Sequence, residues 1–254
     1  MQHEYPILEY DSAPEALIEP GKLIRKVDRL PEHCVLCFFQ EVIGSVCDDS
    51  MCVHRLGSEI GRNPIYVVER DGQRFAVLHP GVGAPLAAGF LEEIIAAGCR
   101  KFIACGGAGV LNRELTVGHL VVPIAAVRDE GTSYHYLPAS RETTPSPAAV
   151  EAIATTLDAH NVPYVLGKTW TTDALYRETP AKIARRREEG CLTVEMEAAA
   201  FFAVAQFRGV TFGQVLYGGD DVSGDVWDQR DWIKGQSSTR EKLFWLSAEA
   251  CLKL

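Results

Sequence analysis

The sequence predicts an α/β chain: a three-layer αβα sandwich built on a central mixed, largely parallel sheet. Three observations carry that prediction. Short apolar, β-branched runs alternate with segments of helical periodicity along the whole chain. Two of those runs end in glycine-rich stretches, Pro80–Pro85 and Gly106–Gly109, where a strand would turn into the next element. No low-complexity linker and no repeat divides the 254 residues, so 1–254 reads as one unit.

In order along the chain, residues 1–30 are polar and carry Pro6, Pro14 and Pro20, the pattern of an extended N-terminal arm with a short helix near Lys22–Asp28. An arm of this kind often lies across a neighbouring subunit. Cys34–Phe39 is the first core strand, and Gln40–Cys47 begins a helix. Ile65–Arg70 and Arg74–Leu78 flank Asp71-Gly72, a two-residue hairpin signal. Leu86–Ala97 has helical periodicity and stops at Gly98. Lys101–Cys105 reads as a buried strand ending in a turn at Gly106-Gly107-Ala108-Gly109, and His119–Val127 as another strand. Ser146 and Pro147 mark a helix start, with serine as cap and proline in the first turn. Pro163–Thr169 is a strand, and Pro180–Glu189 a helix whose Arg185-Arg186-Arg187 reads as a solvated face. Cys191–Val194 is a strand, the next helix stops near Gly209, Val210–Tyr217 is the last strand, and Ser237–Leu252 an amphipathic helix.

The bulk numbers narrow the class. With 47% hydrophobic residues the chain can bury a full core. A formal charge of −9 argues against nucleic acid or an anionic membrane as main partner. No apolar run approaches the ~18 residues that span a bilayer, and Met1–Pro6 lacks the basic and apolar regions of a signal peptide, so a cytoplasmic protein is expected. Of the eight cysteines, Cys34 and Cys37 lie in a strand and point to opposite faces. Buried free thiols are expected, with no metal and no disulfide.

The chemistry concentrates in Thr193-Val194-Glu195-Met196-Glu197-Ala198-Ala199-Ala200, a buried strand feeding a buried helix. An unpartnered carboxylate in so apolar a run costs several kcal/mol, so both need partners or a ligand. The bland alternative is that one Glu caps the helix and the other reaches solvent. A carboxylate near a helix N-terminus is also suited to accept hydrogen bonds from two adjacent hydroxyls, such as those of a ribose, with Met196 as a soft surface for the sugar. Neither glycine stretch completes a dinucleotide fingerprint, since Leu86 and Asn112 occupy the sixth positions, and neither carries the Lys-Ser/Thr of a phosphate loop. Both stretches, the Glu-Met-Glu segment and Gly218-Gly219-Asp220-Asp221 fall at predicted strand ends, where ligands bind in such folds.

The segments Gly81-Val82-Gly83-Ala84-Pro85, Gly106–Gly109, Val117–Pro123, Arg128–Ser133, Thr171–Tyr176 and Val194–Ala199 occur in the order found in the nucleoside phosphorylase family, which the chain resembles from about residue 34 to 252. Arg128–Ser133 and Asp173–Tyr176 lean toward its uridine-phosphorylase branch. The resemblance implies cleavage of a ribonucleoside by phosphate to free base and ribose 1-phosphate, with no cofactor beyond inorganic phosphate as co-substrate. It implies that Glu197 holds the 2′ and 3′ hydroxyls, with Met196 against the sugar and Glu195 as a nearby polar contact. Leu175 and Tyr176 match the wall on which the base stacks, and Asp220, with Asp221 as close competitor, the acid that helps the base depart. It further implies a homo-oligomer (dimer, trimer or hexamer) with sites completed across an interface.

The pattern also departs from the family. Phe38-Phe39-Gln40-Glu41 stands where the family's early phosphate loop carries Gly-Asp-Pro and an Arg, and Ala104 replaces a phosphate-binding Arg. The residues that read uracil have no clear counterparts after Tyr176. Phosphate would then be held by amides around Gly83 and Gly106-Gly107, with Arg62 (or Arg55) lent by a neighbouring subunit. Hydrolysis by water is the runner-up, and a non-catalytic nucleoside-binding protein the alternative outside enzymes.

Overall fold

In the computed structural model, residues 3–230 and 237–254 are described; Met1 and Gln2 of the arm lie outside them. The elements, in chain order, are α1 (Pro20–Leu23), β1 (His33–Cys37), α2 (Gln40–Val46), β2 (Cys52–Ser58), β3 (Gly61–Arg70), β4 (Gln73–Leu78), α3 (Ala84–Ala97), β5 (Lys101–Val110), β6 (Leu120–Asp129), β7 (Glu142–Thr143), α4 (Pro147–Ala159), β8 (Tyr164–Thr172), α5 (Pro180–Glu188), β9 (Cys191–Glu195), α6 (Ala198–Arg208), β10 (Thr211–Asp221) and α7 (Ser237–Leu252).

All these strands join one mixed sheet, in the order β10-β6-β8-β9-β5-β1-β4-β3-β2, with β7 on β6 and a second pairing of β10 with β5. The pairings β4–β1–β5–β10 and β6–β8–β9 are parallel, as βαβ crossovers require. Antiparallel pairings join β10 to β6 and β5 to β9. Because β10 touches both β5 and β6, the strands β5, β10, β6, β8 and β9 form a closed ring, and the β2–β3–β4 meander extends the sheet beyond it.

The layers follow from alternation along the strands. Cys34 and Leu36 of β1 join one core with α3 and α6, through Phe90, Leu91, Phe201 and Phe202. Val35 and Cys37 face the opposite core with α4 and α7, through Ile153, Leu157, Leu243 and Phe244. Cys34 and Cys37 therefore do point apart and are buried, whereas Cys47 and Cys52, also expected to be buried, are only half-buried. No described helix is long and apolar enough to cross a membrane.

Local sequence explains most boundaries. Asp71 and Gly72 both take positive φ (53° and 75°), the two-residue turn the Asp-Gly pair predicts. Gly98 ends α3 and left-handed Gly209 ends α6. At Ser146 the expected side-chain cap is absent: Pro147 does open α4, but Ser146 Oγ accepts the N–H of Phe212 at 3.0 Å. Arg185–Arg187 is not wholly a solvated face. Arg186 is buried against Trp170 and ion-paired to Asp129 at 3.1 Å and Glu189 at 3.3 Å, because α5 lays that side over the end of β6. The short helix of the arm falls at Pro20–Leu23, earlier than expected, and the arm returns to its own chain where the Val27 N–H meets the Ala97 carbonyl at 3.0 Å.

Candidate active site

A cleft of about 670 Å³ opens beyond the carboxyl ends of the strands. It is reached by Phe38 and Phe39 after β1, Gly106–Gly109 of β5, Leu175, Tyr176 and Glu178 after β8, Glu195–Glu197 after β9, and Asp220 of β10. Val82, Leu175, Tyr176 and Trp227 leave large apolar surface exposed around it, the kind of wall on which a flat ring stacks.

The two carboxylates of the Glu-Met-Glu segment divide the work. Glu195 turns inward and is almost fully buried. Its Oε2 accepts the N–H groups of Glu197 (2.7 Å) and Ala198 (2.6 Å), and its Oε1 accepts the Thr171 hydroxyl (2.6 Å), which itself accepts the Ala199 N–H (2.9 Å). Glu195 therefore satisfies the first free donors of α6 from two residues upstream. Burial raises its pKa, while those hydrogen bonds pull the other way.

Glu197 sits at the N-cap of α6 but caps nothing. Its Oε1 accepts the Gly83 N–H at 2.6 Å, and the residue lines the cleft at 5% exposure. Burial first, then the neighbouring Glu195 charge, pushes its pKa up. The bland alternative thus holds for one residue: Glu195 does cap the helix, while Glu197 faces the cleft and not bulk solvent. Gly83 adopts φ 90° and ψ 139°, a backbone that favours glycine, and this aims its N–H at the carboxylate.

Two expectations change at this point. Gly83 spends its N–H on Glu197, so that donor is already engaged. Gly106 and Gly107 form no turn; they are extended residues of β5 in register with Leu216 and Tyr217 of β10. The smallness of Gly106 serves close approach, since a Cβ there would lie 2.8 Å from the Phe38 ring. Arg62 is exposed on β3 opposite Gly57 and Arg55 pairs with Asp49 at 3.1 Å; neither lines the cleft of its own chain, as would also hold for an arginine lent to a neighbouring subunit.

The two aspartates of β10 also part. Asp220 lines the cleft, its Oδ2 accepting the Trp227 indole N–H at 2.7 Å. Asp221 is buried away from it, bonded to Arg230 at 2.6 Å and to the Ser223 N–H at 2.8 Å. Those partners hold its carboxyl below the usual range against the opposing effect of burial. The alternating strand separates the two faces.

The sequence did not point to Glu178, Gln214, Trp227 or Arg240, which also line the cleft. Gln214 is 1% exposed, and its Oε1 has no hydrogen-bond partner among the described residues, so a ligand there would satisfy it. Arg240 projects from α7, bonding Glu41 at 2.6 Å and lying over Phe39 and Tyr217. Arg128, within a segment that carries the resemblance, has a scaffold position instead: it is buried and bonds Ser133, Leu137, Pro138 and Ser140, fixing the loop after β6.

The chain is similar to known proteins in sequence and in fold. The family model for the phosphorylase superfamily matches residues 32–245. A guanosine phosphorylase of Halorubrum lacusprofundi is 29% identical over 173 residues, covering 68% of this chain and 70% of that protein. Among solved structures, a uridine phosphorylase from Vibrio fischeri aligns with a TM-score of 0.74 at 22% identity, over 91% of this chain and 98% of its own. An AMP nucleosidase from Bacteroides thetaiotaomicron aligns at 0.71 and 22% identity, over 89% of each chain. These likenesses establish the fold, and the family match over most of the sequence establishes that the chain belongs to the phosphorylase superfamily.

Proposed function

We propose that this protein cleaves the N-glycosidic bond of a ribonucleoside, with inorganic phosphate as acceptor, giving free base and ribose 1-phosphate. The observation that carries the reading is Glu197, a buried carboxyl fixed at one oxygen by Gly83 and lining the cleft beside Met196. In its ionised form, which hydroxyl donors favour against the burial that raises its pKa, a carboxyl so placed accepts hydrogen bonds from a ribose diol and stabilises the positive charge that grows on the sugar as the bond breaks. Opposite in role, Asp220 with Trp227 stands at the end where Leu175 and Tyr176 offer a stacking wall for the base. General acid help to the leaving base is typically worth ~10²–10⁴-fold. The name of the Halorubrum relative, a guanosine phosphorylase, supports phosphate as acceptor.

A second reading, hydrolysis by water, is favoured by the charge of the cleft itself. Its walls carry Glu178, Glu195, Glu197 and Asp220, and its one guanidinium among the described residues, Arg240, already pairs with Glu41. Bringing a phosphate dianion among carboxylates is unfavourable without further cations. Base release from a nucleoside panel, with and without phosphate, separates the readings: phosphate-dependent release with ribose 1-phosphate supports the first, and phosphate-independent release of ribose the second. No release under either condition contradicts both.

A further inference from the structure

Glu178 follows the short turn Leu175–Arg177, immediately before the Thr179 cap of α5, and lines the same cleft as Asp220. Among the described residues its side chain makes no hydrogen bond or ion pair, although it is half-buried. Asp220 is differently placed. The Trp227 indole N–H is a donor only, so the Asp220 oxygen that meets it acts as an acceptor. The base end of the cleft thus holds one carboxyl with an oxygen engaged by Trp227 and a second carboxyl with no partner among the described residues.

We propose that Glu178 is a second acid of this site, giving its proton to the departing base while Asp220 and Trp227 orient that base. The inference rests on the reading that this chain cleaves an N-glycosidic bond. In the step, the C1′–N bond breaks and its electron pair passes to the base nitrogen. The nucleophile bonds to C1′, and the O–H proton of Glu178 moves to an acceptor atom of the base, which leaves neutral. The Glu178 carboxylate then recovers a proton from solvent. Water as nucleophile releases one proton to solvent, so the sum is nucleoside plus water giving ribose plus base. Hydrogen phosphate likewise releases its proton once bonded to C1′, and the sum is nucleoside plus phosphate giving ribose 1-phosphate plus base.

The surroundings suit the role. Burial, and after it the negative Asp220, raises Glu178 to about 7, so the proton is retained up to neutral pH. The other titratable or charged groups on the cleft walls are Tyr176, Glu195, Glu197 and Arg240. The Asp220 charge beside it favours the protonated form of Glu178, the form an acid needs.

The test compares the full-length protein with Glu178→Gln and Glu178→Asp on a natural nucleoside and on p-nitrophenyl β-ribofuranoside, whose phenolate leaves without protonation. Expected is a basic limb near pH 7 in kcat/KM for the nucleoside that is lost in Glu178→Gln. The same variant should lose about 10²-fold or more on the nucleoside and far less on the nitrophenyl riboside, with partial recovery in Glu178→Asp. Equal losses on both substrates, or an unchanged basic limb, overturn the inference and leave the glycosidic-bond reading intact. A wild-type protein inactive on both substrates overturns that reading, and this inference with it.

Discussion

Gly83 donates its backbone N–H to Glu197 Oε1 at 2.6 Å, tying the start of α3 to the start of α6 beside the cleft. The bond depends on a φ of 90° that an L side chain rarely adopts. Gly83→Ala is therefore expected to lose ~1–3 kcal/mol of stability and to raise KM for nucleoside, because the carboxylate is no longer held in place. Thermal melting and steady-state kinetics check both. An unchanged melting temperature would show that the turn is not strained.

Glu197 links function to pH. Burial and the adjacent Glu195 raise its folded-state pKa, so the native protein holds a proton that the unfolded chain releases as pH rises. That contribution is full at acid pH and is lost as the pH climbs from the ordinary carboxyl range through the raised value. Glu197→Gln, which carries no charge, is expected to melt about 2–4 °C above wild type at pH 9 and to show no such gain at pH 5, a gain of ~1 kcal/mol. Melting curves of both proteins across this range decide the matter.

Glu195 serves the scaffold. Its carboxyl accepts two backbone N–H groups and the Thr171 hydroxyl in a buried site. Glu195→Ala leaves these donors without their acceptor, at ~1–3 kcal/mol for a buried unsatisfied group. The expected loss is at least ~2 kcal/mol, or about 4–8 °C in melting temperature. Thr171→Val removes only one of the three donors, and is expected to cost less.

The paired aspartates of β10 separate the two kinds of effect. Asp220→Asn is expected to lower kcat on a nucleoside by ~10²-fold or more with little change in melting temperature. Asp221→Asn should do the reverse, weakening the Arg230 contact and costing ~1–3 kcal/mol while kcat stays within a few-fold. Measuring kcat and melting temperature on both variants checks the assignment.

The legible parts of this chain are those written in local sequence. The Asp71-Gly72 hairpin, the Gly98 and Gly209 stops and the strand-to-helix passage at Glu195–Glu197 need only their neighbours in sequence to be read. What failed needed a partner from elsewhere. Gly106 and Gly107 look the same whether they permit a turn or a close approach, and only Phe38 packed against Gly106 decides between them. Arg186 sits in a basic run indistinguishable from a solvated face until Asp129 and Trp170 come beneath it. Glu178 and Trp227 lie in segments where polar and aromatic residues carry no periodic signal, and Arg240 reaches the cleft from a distant helix. Asp220 and Asp221 could be told apart only by the side of β10 each takes.

The most direct measurement concerns the grip of Glu197 on the sugar. kcat/KM should be determined at pH 9, where Glu197 with its pKa pushed up to about 8 is ionised, for wild type and Glu197→Gln on a ribonucleoside and on its 2′,3′-dideoxy analogue. Charge-assisted hydrogen bonds worth roughly 1.5–3 kcal/mol each predict that wild type prefers the ribonucleoside by at least ~10-fold. They also predict that Glu197→Gln loses at least ~10-fold on the ribonucleoside and much of that preference. A variant that keeps the wild-type rate and the full preference for the hydroxyls would contradict the role assigned to this carboxylate.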